Sequence, residues 1–139
     1  HEILLEADVF INVPVLKNHS GAGMTCAMKN LMGIVWDRDI FHRSDLDLCI
    51  AESCLYRRPA LNVVDAGKVM LSGGPRGYGS SRYDEQKMLL LSPDIVAVDA
   101  AAARILDKPQ SSFPYIDKAG SMGLGRSDLS KLSIRRLTV

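Results

Sequence analysis

Hydrophobic and polar positions divide the chain into segments of two periods. Val9, Phe10, Ile11, Val13 and Val15 form a short, nearly continuous apolar run rich in β-branched residues, which predicts a strand covered on both faces, as in a parallel sheet. Pro14 limits it, because proline cannot donate to a central ladder. Asn18 to Gly23 reads as a polar loop. Met24, Ala27, Met28 and Leu31 then recur at helical spacing, with Gly33 as a C-terminal cap. A charged connector, Trp36 to Arg43, precedes a second helix starting at Ser44, whose S-x-x-D pattern with Asp47 reads as a capping box. Arg57, Arg58 and Pro59 end that helix.

Ala60 to Val64 predicts a second buried strand that closes on Asp65, with Val69 to Leu71 extending it or forming a separate short strand. Gly73 to Arg82 is the most glycine-rich segment and reads as a hairpin or crossover turn, or as a nest for an anion. Lys87 to Leu91 predicts a third strand. Ser92-Pro93-Asp94 predicts a helix start with Ser92 as cap, Pro93 in first position and Asp94 on the positive end of the dipole. That helix should run to Leu106 and bury Ile95, Val98, Ala102 and Leu106, with Asp99 on or beside the buried stripe. A short helix over Phe113 to Met122 and a terminal edge strand over Leu132 to Val139 complete the pattern. The sum is an α/β fold: a three-layer-like, mixed, mostly parallel sheet flanked by helices.

Composition narrows the function. With 139 residues, 47% hydrophobic and 24% charged, the chain suits a single domain with an ordinary core. A net charge of +1 gives no general pull toward nucleic acid or anionic membranes, so an anion site must be local. No apolar run approaches the ~20 residues of a membrane span. Cys26, Cys49 and Cys54 form no C-x-x-C pair and read as reduced core thiols. The opening HEILLEADVF reads as a helix running into a strand. It suggests the C-terminal part of a larger domain, which leaves an exported form open beside the favoured cytoplasmic one.

Chemistry gathers around the first strand, the loop and the helix. Lys17 and Lys29 could clamp an anion with Thr25 and loop N–H groups near the helix N-terminus, or be solvated lysines. His19, two residues from Lys17, could move a proton. A metal there would need Asp65 and Asp99 as further ligands, and no metal site is assigned. His1 and His42 have no supporting pattern. Asp65 sits where a strand end presents acids to a site. Asp99, if buried, must be hydrogen-bonded, paired with Lys29, or functional.

These residues also carry a resemblance. Asn12, Pro14, Lys17 and His19 match N-x-P-x-x-K-x-H; Thr25, Lys29, Asn30 and Gly33 match T-x-x-x-K-N-x-x-G. Asp65, the Gly73-Gly74-Pro75-Arg76-Gly77 loop and the D-x-x-A-x-D run from Asp94 to Asp99 follow in order. The chain resembles the C-terminal two thirds of the domain of unknown function 362 family. The resemblance implies less function than fold. The residues themselves make Lys17, His19, Lys29 and Asp99 the catalytic candidates, and Asn12, Thr25, Asn30, Asp65, Gly74 and Gly77 the candidate ligand contacts. The reading is an enzyme domain acting on a small anionic substrate or cofactor. The alternative is a non-catalytic, redox-associated module working with an iron–sulfur, ferredoxin-like segment or partner, since some members carry 4Fe–4S motifs. Any such cluster would sit on a missing segment or partner, for this chain lacks the cysteines.

Overall fold

The computed structural model describes residues 2–138; His1 and Val139 lie outside the described residues. In chain order the elements are α1 (Glu2–Glu6), β1 (Ile11–Asn12), β2 (Val15–His19), β3 (Gly23–Thr25), α2 (Ala27–Asn30), α3 (Asp39–His42), α4 (Leu46–Tyr56), β4 (Leu61–Met70), β5 (Tyr83–Ser92), α5 (Ile95–Ile105) and α6 (Pro114–Ser121). Short 3-10 turns occupy Leu31–Ile34, Gln110–Ser112 and Leu129–Lys131.

The fold is α/β, as the patterning predicts. The long strand β4 is the spine of a mixed sheet: β1 and then β2 run parallel along one edge, and β5 runs antiparallel along the other. β1 and β2 form one course broken at Pro14. Ile11 lies across from Leu61 and Val15 from Asp65, so one register holds on both sides of the proline. Pro14 donates nothing to the ladder, but its carbonyl accepts the Asp65 N–H at 2.9 Å.

α5 packs against β4 and β5, α2 and α6 pack against α5, and α4 packs against α2 and α6. They bury the face of β4 that carries Asn62, Val64 and Ala66, each 0% exposed. The opposite face is open. The expectation that the first strand is covered on both sides is therefore corrected: Ile11, Val13 and Val15 remain half or more exposed, because the described helices stand on one side only.

Several boundaries also differ. Met24 is in a strand, not a helix; it pairs with Asn18 in the β2–β3 hairpin, which Gly23 turns at φ +76°. α2 is consequently one turn long and runs into a 3-10 turn. The predicted Ser44 cap falls to Asp45, whose carboxylate accepts the Leu48 N–H at 3.0 Å. The predicted Ser92 cap falls to Asp94, which accepts from Val96 and Ala97; Ser92 still ends β5. The strand read as closing on Asp65 continues to Met70 through an irregularity at Gly67. β4 and β5 make the glycine-rich segment a hairpin turn. The tail from Leu132 to Thr138 is not a strand, since no neighbour offers it a ladder.

Candidate functional site

The β2–β3 hairpin is closed by a side chain. His19 Nδ1 accepts the N–H groups of Gly21 at 3.0 Å and Ala22 at 3.1 Å. An imidazole nitrogen that accepts two N–H bonds cannot carry the proton, so the proton sits on Nε2. Burial, then Lys29, His42 and Lys17, press the His19 pKa down to about 4. At neutral pH His19 is thus an uncharged ring with one outward donor. His42 stacks beside it, with ring centroids 6.5 Å apart.

Lys29 follows on α2. It is 9% exposed, and its ammonium donates only to the Met32 thioether, at 3.4 Å. Burial, Lys17 and Arg38 all lower its pKa, and none of the ion pairs among the described residues includes it. Lys17 stands opposite Thr25 across the hairpin. The structure thus groups Lys17, His19 and Lys29 as the spacing suggests and adds Arg38 and His42 from the connector. Sequence reasoning missed those two, because a charged stretch between helices reads as solvated surface.

The other singled-out residues hold this group in place. Asn12 donates to Ala27 O at 2.9 Å and to Asn62 Oδ1 at 3.0 Å, and accepts from Asn30 Nδ2 at 2.8 Å. The two motif asparagines therefore fasten β1 to α2. Asn62, their missed partner, is a buried amide in the β-branched run of β4, a signal available in the sequence.

Asp99 is fully buried. It accepts from Ala27 N at 2.7 Å and Met28 N at 3.2 Å. It caps α2 from α5 and does not pair with Lys29. Burial raises its pKa to about 7. Burial, with Asp99 adding to it, holds Cys26 well above the ordinary thiol range and Cys54 at about 12. All three cysteines are free.

Gly74 donates its N–H to Asn18 Oδ1 at 3.3 Å, and a Cβ there would stand 1.7 Å from the Asn18 carbonyl oxygen. The glycine turn thus closes onto β2 beside Lys17 and His19. Gly77, at φ +76°, lies where a Cβ would stand 2.9 Å from the Tyr83 hydroxyl. Backbone packing accounts for Gly74, and the positive φ for Gly77. Asp65 lies apart from the group, on the open sheet face, with Oδ1 on the Gly67 N–H at 2.8 Å. Among the described residues no group of three or more His, Cys, Asp or Glu could hold a metal ion.

The arrangement is a cationic group around a neutral imidazole donor, built on a hairpin and one helical turn. Among known proteins, the chain is similar to the "Thylakoid-associated protein sll1697" of Synechocystis sp. (strain ATCC 27184 / PCC 6803 / Kazusa), 29% identical over 128 residues. The match covers 86% of this chain and 39% of that relative's length. No solved structure matches. The family described as "Domain of unknown function (DUF362)" matches residues 1–104, a span that includes β1, β2, α2 and Asp99, and the chain belongs to that family.

Proposed function

We propose that this chain binds a small anionic ligand, phosphate- or carboxylate-bearing, at Lys17, Lys29 and Arg38, as an enzyme domain that acts on it. One observation carries the reading: Lys29 is a buried residue whose ammonium has only a thioether partner among the described residues. Burying an ammonium without a counter-charge is costly, and Lys17 and Arg38 raise that cost. A ligand anion would remove it. His19 Nε2–H and the Thr25 hydroxyl supply directional donors beside the charges. His19 serves as a hydrogen-bond donor rather than an acid, since its proton is held on the nitrogen away from the hairpin turn. Asp99 acts through the backbone of α2. The proposal places the chain in the cytoplasm. No described helix is long and apolar enough to cross a membrane.

The test is calorimetric titration with inorganic phosphate and with citrate. Saturable binding that weakens at least ~10-fold in Lys29→Met, a loss of about 1.4 kcal/mol, supports the reading. No binding by either anion, or equal binding by Lys29→Met, overturns it. Docking of an iron–sulfur, ferredoxin-like partner on the same cations is the remaining outcome: a reduced or oxidised ferredoxin would bind where the small anions do not.

A further inference from the structure

Lys29 is the one buried lysine among the described residues. Its Nζ meets the Met32 sulfur at 3.4 Å, a weak acceptor with no charge to offer. Asp99, the acid that could have balanced it, is bound to the Ala27 and Met28 N–H groups instead. The charges that do act on Lys29 are cations, Lys17 and Arg38, and none of the ion pairs among the described residues includes it. This is the setting in which an amine becomes a nucleophile. Protonation occupies the nitrogen lone pair, and burial and neighbouring cations both oppose protonation. A larger share of Lys29 therefore presents a free lone pair at neutral pH than a solvated lysine does. Lys17 and Arg38 remain to hold an anionic group beside it.

We propose that the anion taken by this site carries a carbonyl group, and that Lys29 Nζ forms an imine with it. The inference rests on the anion-binding reading above and names the class of anion. In the step, the Nζ lone pair attacks the carbonyl carbon and the C=O π pair moves to oxygen. The two amine hydrogens then leave with that oxygen as water, and a C=N bond replaces the C=O bond. Nothing is oxidised or reduced. The donor available to the oxygen as charge builds on it is His19 Nε2–H. After burial, Lys29 is the largest influence on that ring, and the ring keeps its own proton throughout.

The test is reductive trapping. Cyanoborohydride reduces an imine and spares the carbonyl, so it makes the adduct permanent. The protein is treated at neutral pH with pyruvate and, separately, with dihydroxyacetone phosphate, and the modified lysine is located by peptide mass mapping. One of the two anions should label Lys29 at least ~10-fold faster than it labels the exposed Lys87, and the faster of them tells carboxylate from phosphate. Acetone has the carbonyl without the charge and should label Lys29 at least ~10-fold more slowly than that anion. Equal labelling of Lys29 and Lys87 by both anions overturns the proposal. So does an unlabelled Lys29, or labelling by acetone as fast as by the anions. A trap that fails while phosphate still binds in the calorimeter removes the imine and leaves the anion-binding reading intact; failure of both removes both.

Discussion

Asp99 accepts the N–H of Ala27 at 2.7 Å across 72 positions of sequence. α2 is four residues long and cannot stand alone, and its own cap position, Cys26, makes no side-chain cap bond. The carboxylate from α5 takes the first N–H groups of α2 and so fixes where Lys29 emerges. Removing it strands two buried donors. Asp99→Ala should cost about 2–4 kcal/mol, read as a fall in the urea midpoint, and Asp99→Asn should recover part of the loss by keeping one acceptor.

The same carboxylate gives a pH signature. Its folded pKa of about 7 lies above the ordinary carboxylate value of 3.8. Between those values the folded state holds a proton that the unfolded state has released. The contribution is therefore full below pH 3.8 and lost as pH rises through 7. The difference between wild-type and Asp99→Asn stability should narrow over that interval.

His19 works in the opposite direction. Its folded pKa of about 4 lies below 6.5, so the unfolded chain takes a proton that the folded ring refuses. Stability from this group is present above pH 6.5 and is lost as pH falls toward 4. His19→Asn keeps an acceptor near the Nδ1 position and does not titrate. It should flatten the acid limb of the stability curve and thereby expose the Asp99 slope, which wild-type partly cancels. An imidazole titration by NMR should find His19 neutral at pH 5.5.

Much of this was legible in the sequence, and what was not has physical reasons. Cap and stop signals placed α4, and hydrophobic period placed the start of β4 and α5, since these bury enough apolar surface to impose their own pattern. It misplaced Met24, because a three-residue strand followed by one helical turn contains too few positions to show a period. The grouping of Lys17, His19 and Lys29 followed from reading a strand, a polar loop and a helix in succession, although that loop folds as the β2–β3 hairpin. The role of Asp99 was legible in part: a buried carboxylate there reads as held by a backbone N–H or by Lys29, and the structure selects the N–H groups, though spacing could not say that they lie 71 and 72 residues away. The open face was misread because β-branched continuity says that a strand can be buried, not that anything is there to bury it.

The glycine turn offers a paired test. A Cβ on Gly74 would lie 1.7 Å from a backbone oxygen of β2, whereas Gly79 has nothing within 4 Å. Gly74→Ala should therefore push the turn off Asn18 and cost about 1–3 kcal/mol, while Gly79→Ala should fall within about 0.5 kcal/mol of wild type. Thermal unfolding of the two variants side by side checks this.

Lys29 should show a conflict between stability and binding. Methionine matches its length, and the neighbour of its ammonium is already the Met32 sulfur. Lys29→Met removes a buried charge that lacks an anion and should raise stability by about 1 kcal/mol or more. Lys17→Met, at a less buried position, should change stability little. Urea unfolding without ligand separates the two.

Tyr115 closes the set. It is 0% exposed, and its hydroxyl has no hydrogen-bond partner among the described residues. Burial, together with Asp99, Cys26, Asp47 and Cys54, holds its pKa well above the usual phenol range, so the group stays a neutral O–H. A buried donor without an acceptor forfeits its bonds to water and gains none in return. Tyr115→Phe keeps the ring and its edge contact with Phe113 and deletes only the orphaned group. It should be neutral to stabilising, by up to about 1 kcal/mol, where a tyrosine hydroxyl bonded in the core would give a loss. A drop of more than 1 kcal/mol in the unfolding free energy would show that the hydroxyl is bonded after all.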